Sequence, residues 1–169
     1  STILSYPNET NNISKYYRGR KLGEIWGYET NGLAKTDEEM KSHLASLPNG
    51  GQNALGTNWA AGDIMYKDLN GDGKIDGGQG VLGNTGDRKV IGNETPRYNF
   101  GLTLNAEYKG FDLSAYFTGA ARTSTFFEDR TFWPFASGMG FFNVFKEIYD
   151  NRWTPETAGA AKYPGQNLA

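Results

Sequence analysis

The residues best equipped for chemistry lie in one short stretch, Asp68-Leu69-Asn70-Gly71-Asp72-Gly73-Lys74-Ile75-Asp76. Side-chain oxygens fall at alternate positions, on Asp68, Asn70, Asp72 and Asp76, and Gly73 stands sixth. This is the spacing of an EF-hand-type calcium loop, which takes oxygen ligands at positions 1, 3, 5 and 9 and a backbone carbonyl at 7, with a glycine at 6 for the sharp turn. The carbonyl of Lys74 would be the seventh-position ligand, and Ile75 an inward apolar anchor. An all-oxygen donor set suits a hard cation, so the expected cofactor is a structural Ca2+. The pattern departs at position 12, where Gln79 replaces a bidentate Glu. That implies modest affinity, because ligand charge tunes calcium binding. The competing reading is two overlapping turns, Asn70-Gly71 and Asp72-Gly73, in a polar hairpin.

The flanking elements decide what such a loop does. Before it, Ala61 to Lys67 reads as extended chain; after it comes Gly77-Gly78-Gln79-Gly80. A helix on each side is missing, so the loop is expected to staple structure rather than act as a calcium switch. Upstream, Lys21 to Leu33 reads as a strand in which Leu22, Glu24, Trp26 and Tyr28 alternate with Gly23, Ile25, Gly27 and Glu29, and Asn31-Gly32 reads as a turn. Thr36-Asp37-Glu38-Glu39 is a capping box, and Met40, Leu44 and Leu47 follow at helical spacing. A short helix over 37–47 is therefore predicted, stopped by Pro48 and Asn49-Gly50-Gly51. The lone histidine of the chain, His43, is expected on its solvent face. Thr85 to Asn93 reads as a turn and a short strand.

The most regular segment begins at Arg97. Tyr98, Phe100, Leu102, Leu104, Ala106 and Tyr108 alternate with Asn99, Gly101, Thr103, Asn105, Glu107 and Lys109. After Lys109-Gly110, the residues Phe111, Leu113, Ala115 and Phe117 alternate with Asp112, Ser114, Tyr116 and Thr118. A half-buried soluble hairpin also alternates. These strands, however, approach the roughly 9–11 residues that span a bilayer. Aromatics sit at the ends of the apolar faces, and a minimal turn joins them between long flanking segments, as in outer-membrane barrels.

Composition narrows the function classes. The net charge is −2, which provides no basis for nucleic-acid binding. The chain holds no cysteine, excluding disulfides and thiol catalysis within it. Glycine at 23 residues and aromatics at 14% favour turn-rich β structure. No apolar run is long enough for a membrane helix, which says nothing against a β-barrel. Phe132, Trp133 and Phe135 are candidate ligand-facing aromatics; packing inside a large folded loop is the alternative. Phe141 to Tyr149 reads as a short helix. Glu128, Asp129, Glu147, Asp150 and Glu156 form no recognisable catalytic arrangement, so an enzyme is not expected. The opening Ser1-Thr2-Ile3-Leu4 and closing Gln166-Asn167-Leu168-Ala169 suggest an internal piece of a larger polypeptide.

Five stretches occur together in order: Gly23 to Leu33, Gly62 to Gly73, Val90 to Tyr98, Lys109 to Leu113, and Arg152-Trp153-Thr154-Pro155-Glu156. Their order and spacing resemble the C-terminal part of the barrel in SusC/RagA-type TonB-dependent outer-membrane transporters of Bacteroidota. The resemblance runs from about Tyr16 to Pro164. It implies a mainly β fold, a partial transmembrane antiparallel β-barrel with long extracellular loops at 34–96 and 122–169 and a membrane hairpin at 97–120. It also implies location in the outer membrane of a Gram-negative bacterium, a SusD-like lipoprotein partner, the TonB complex, and an oligosaccharide or oligopeptide substrate. The alternative is a secreted, calcium-stabilised carbohydrate-binding or adhesive β module.

Overall fold

The computed structural model describes residues 1–126 and 144–165. These residues are mainly β, in three two-stranded antiparallel sheets. Strands β1 (Glu24–Tyr28) and β4 (Arg88–Asn93) form one sheet, and β2 (Thr30–Leu33) pairs with β3 (Ile64–Tyr66). The third joins β5 (Tyr98–Tyr108) to β6 (Phe111–Ala121). Helix α1 covers Asp37–Ala45 and α2 covers Lys146–Asp150. Among the described residues no closed barrel is formed.

The stretch 21–33 divides into two strands that pair with different partners. Asn31 and Gly32 lie inside β2 and do not form the expected turn. The register shifts between Thr30 and Gly32, and Gly32 has φ +107°. The local signal for a reversal is therefore absorbed as a bulge, which glycine accommodates without steric cost.

Helix α1 starts as its capping box dictates. The Thr36 hydroxyl accepts the Glu39 amide at 3.2 Å, and the Glu39 carboxylate accepts the Lys35 amide at 2.7 Å. The helix ends two residues short of the expected Leu47, whose amide instead bonds to the Leu44 carbonyl. Met40 is buried with Ala34 and Met65, and Leu44 and Trp59 pack against this small core. His43 is half-buried, not solvent-facing: its Nε2 lies 3.3 Å from Gln52 Oε1. Gln52 is itself fully buried, and binds the Ile64 carbonyl and the Tyr66 amide, so it ties the post-helix loop to β3.

Further along, the segment around Trp153 closes back on this unit. Gly165 donates its amide to the Gly62 carbonyl at 3.0 Å, and the indole of Trp153 lies directly against Gly62. Helix α2 is shorter than the expected 141–149 helix; its residues 141–143 lie outside the described part.

The hairpin β5–β6 differs from everything before it. Its two strands pair residue for residue over their whole length, from Tyr98 opposite Ala121 to Tyr108 opposite Phe111. Lys109 and Gly110 both take positive φ, the geometry whose twist suits a two-residue hairpin turn.

Candidate functional site

The acidic loop follows β3 directly and folds onto the chain after α1. The Asn49 amide donates to the Gly73 carbonyl at 2.9 Å, the Asn49 side chain to the Asp72 carbonyl at 2.6 Å, and the Ile75 amide to the Gly51 carbonyl at 2.7 Å. Ile75 is 1% exposed, so it is the inward anchor its position implied. These bonds tie the loop to the chain at 49–51, more than twenty residues earlier in sequence.

Within the loop, each acidic side chain collects donors. The Asp68 carboxylate accepts the amides of Gly71 (2.6 Å) and Gly73 (2.8 Å). Asn70 Oδ1 accepts the Asp72 amide, and Asp72 accepts the Lys74 amide and the Asn70 side-chain amide. Asp76 accepts the Gly78 amide at 2.7 Å and pairs with the Lys74 ammonium at 2.5 Å. The Lys74 ammonium, then the Gly78 amide, hold the Asp76 carboxyl below its ordinary range, and Asp76 in turn raises Lys74. The all-oxygen donor chemistry suits calcium. The arrangement itself is hydrogen-bonded: among the described residues no three His, Cys, Asp or Glu side chains converge as a metal-holding group.

One residue escapes the spacing rule. Asp87 is fully buried. Its Oδ1 accepts the Leu69 amide at 2.7 Å and its Oδ2 accepts the Asp76 amide at 2.8 Å, so one carboxylate clamps both ends of the loop. Residues 77–86 form an excursion between Asp76 and Asp87 whose base is closed by the Asp87 amide on the Asp76 carbonyl at 2.9 Å. Gly78 and Gly86 touch there so closely that a Cβ on either would strike backbone atoms at 2.4–2.5 Å. The excursion packs on the start of the chain, with the Ile13 amide on the Gly80 carbonyl and the Leu82 amide on the Asn11 carbonyl. A glycine-rich run before an Asp and a strand was the sole sequence signal for this clamp.

A second polar junction joins the two small sheets. Glu29, between β1 and β2, pairs with Lys67 after β3 at 2.7 Å and with Lys89 on β4. Hydrogen bonds from these two ammonium groups hold its carboxyl at about 2.

The second candidate surface is the hairpin. All of β5 is exposed, and nearly all of β6. The register sets Leu102 against Phe117, Leu104 against Ala115, and Ala106 against Leu113, so the apolar faces coincide. Thr103 faces Tyr116, Asn105 faces Ser114, and Glu107 faces Asp112 on the polar side. The Phe100 ring covers Gly119 so closely that a Cβ there would lie 2.3 Å from it. On the apolar face Phe111 is 81% and Leu113 67% exposed. Phe132, Trp133 and Phe135 lie outside the described residues.

These features define a class first: a β-rich chain with a long two-sided hairpin, one face apolar, fed by folded excursions. No family model matches the chain. It is similar to TonB-dependent receptor P3 of Formosa agariphila, with 29% identity over 99 residues. The matched stretch is 59% of this chain and 8% of that receptor, so the chain spans a small part of the relative's length.

Proposed function

We propose that this chain is a C-terminal portion of the barrel of a SusC/RagA-type TonB-dependent transporter. In this reading β5 and β6 cross the outer membrane, and the segments at 34–96 and 122–169 face outward. The intact protein imports oligosaccharides or oligopeptides beneath a SusD-like surface lipoprotein, driven by the TonB complex acting on a region elsewhere in the polypeptide.

The observation that carries the proposal is the hairpin. An isolated two-stranded hairpin is marginal in water, and one with an exposed face of Leu102, Leu104, Leu113 and Phe117 is worse. Lipid on that face and neighbouring strands at both edges remove both problems, since closure satisfies every backbone group within the bilayer. The strict apolar register fits lipid on one side and a hydrated lumen on the other.

The test uses the full-length protein in membranes, with single nitroxide labels. Labels at Leu102, Leu104 and Leu113 should be reached by oxygen, and labels at Thr103, Asn105 and Ser114 by a water-soluble nickel chelate. Equal access on both faces would sink the membrane placement. Full-length protein recovered in the medium without detergent would favour the secreted, calcium-stabilised carbohydrate-binding or adhesive module.

The acidic loop then serves as an extracellular staple. Its calcium ligands would be Asp68, Asn70, Asp72, the Lys74 carbonyl and Asp76, with calcium supplying the counter-charge that the Lys74 ammonium provides to Asp76. Protection of 68–76 from protease by calcium, absent in Asp72→Ala, is the expected result; protection indifferent to chelator would refute the metal.

A further inference from the structure

The hairpin end opposite the Lys109-Gly110 turn carries cations that nothing among the described residues neutralises. Lys21 and Arg97 line one cavity of about 240 Å³ together with Thr2, Asn93 and Thr95. Among the described residues neither the Lys21 ammonium nor the Arg97 guanidinium has a hydrogen-bond or ion-pair partner. Both also line an adjoining cavity of about 410 Å³ in which Glu24 is the carboxylate. That carboxylate is committed elsewhere: it accepts the Tyr17 hydroxyl at 2.8 Å and the Lys21 amide at 3.0 Å. The Asn93 side chain is likewise used, donating to the Leu22 carbonyl and accepting the Thr95 amide. Among the described residues, the lining side-chain donors without a hydrogen-bond partner include the ammonium, the guanidinium and the Thr95 hydroxyl.

Two like charges in one cavity repel, and an anion with more than one oxygen relieves both. A guanidinium presents a planar fork that matches two phosphate oxygens, while an ammonium contributes a compact point charge. The position adds to this. Arg97 immediately precedes Tyr98, the aromatic that opens the apolar face of β5. Arg122 lies at the same end, its guanidinium 5.9 Å from the centre of the Tyr98 ring. Aromatics at the ends of barrel strands mark the level of lipid headgroups.

We propose that Lys21 and Arg97, with the Thr95 hydroxyl, form a phosphate-binding pocket at the rim of the hairpin. The ligand is a phosphate monoester, either on an outer-leaflet glycolipid or free in solution. The lipid source rests on the membrane placement of the hairpin; the pocket does not.

The experiment uses full-length protein in detergent micelles, in two arms. One titrates inorganic phosphate and follows binding by 31P line broadening. The other measures retention of phosphorylated lipid A, and of the same lipid after phosphatase treatment, by native mass spectrometry. Binding in at least one arm is expected, with the Lys21→Gln/Arg97→Gln double variant weakened at least tenfold. Lys21→Arg should retain binding, and Arg18→Gln, an exposed cation outside the cavity, should leave it unchanged. Lipid retention lost on dephosphorylation assigns the lipid source; inorganic phosphate binding alone assigns the solute. No binding in either arm overturns the pocket. So does binding that survives in a double variant whose melting temperature matches wild type. Failure of the membrane placement is read separately by the nitroxide labels, and leaves the inorganic phosphate arm intact.

Discussion

Arginine placed at Leu104 should be far more damaging than arginine one residue further on. Each hairpin strand has 11 residues, or ~37 Å at ~3.4 Å per residue. Tilted by ~40°, such a strand projects ~28 Å along the membrane normal, close to the ~25 Å apolar band of outer-membrane barrels. Leu104 pairs with Ala115, one place from the strand centre, and 52% of its surface is open on the apolar face. Its depth is then within ~3 Å of the midplane, where arginine costs about 2–4 kcal/mol. Asn105 pairs with Ser114 on the polar face, so Asn105→Arg should stay within ~0.5 kcal/mol of wild type. A gap of ~2 kcal/mol shifts the folded-to-unfolded ratio about thirtyfold. Tyr108→Arg, beside the turn, should cost only about 0–1 kcal/mol, because the penalty falls toward the interface. Denaturant unfolding of the full-length protein from lipid vesicles measures all three. Equal losses at 104 and 105, or no decline from 104 to 108, would refute a lipid-facing strand.

Asp87→Asn replaces a carboxylate that accepts two amides with a group that accepts only on one side. The loss of a charged acceptor should cost about 2–3 kcal/mol, seen as faster hydrogen exchange at Leu69 and Asp76; unchanged exchange would remove its clamping role. The Glu29 carboxyl is depressed from 4.5 to about 2, so its pairing with Lys67 and Lys89 is complete above pH 4.5 and is lost as pH falls toward 2. The Lys67 amide, bonded to the Glu29 carbonyl at 2.9 Å, should exchange faster across that window relative to its intrinsic rate, and Glu29→Gln should remove the dependence. Gly78→Ala should disrupt the excursion at its base, where a Cβ meets the Gly86 amide nitrogen at 2.5 Å; proteolysis within 77–86 should rise, whereas Gly83→Ala, with open space around it, should leave the pattern unchanged.

Legibility in this chain tracks how locally each element is determined. The hairpin was readable almost to the residue, because its period, its turn and its register are all encoded within 97–121. The start of α1 was equally readable, since a capping box is a contact between neighbours. The stretch 21–33 was not, because β1 and β2 differ in partner rather than in composition: one pairs with residues 88–93, the other with 64–66. Periodicity reports which face a strand hides, not which strand it meets. His43 failed for the same reason, as its neighbour Gln52 is brought in by the loop after the helix.

Asp87 sharpens the point, because counting along the chain and counting in space disagree there. By count, position 12 of the acidic loop is Gln79, and no acid closes the loop there. In space the chain leaves at Asp76, makes the 77–86 excursion, and returns through the Gly78–Gly86 contact so that Asp87 and Asp76 share two hydrogen bonds. Asp87 therefore closes the loop through hydrogen bonds, at a place that counting along the chain does not reach. Its present bonds to Leu69 and Asp76 show why it matters: positions 2 and 9 are joined through one buried group, which fixes the loop's span before any cation is considered. A buried carboxylate without those amides would be costly, so loop and clamp stabilise each other. It follows that Asp72→Ala and Asp87→Asn should have different signatures. Asp72→Ala should remove the response to calcium while leaving the loop closed in chelator. Asp87→Asn should open the loop in both conditions.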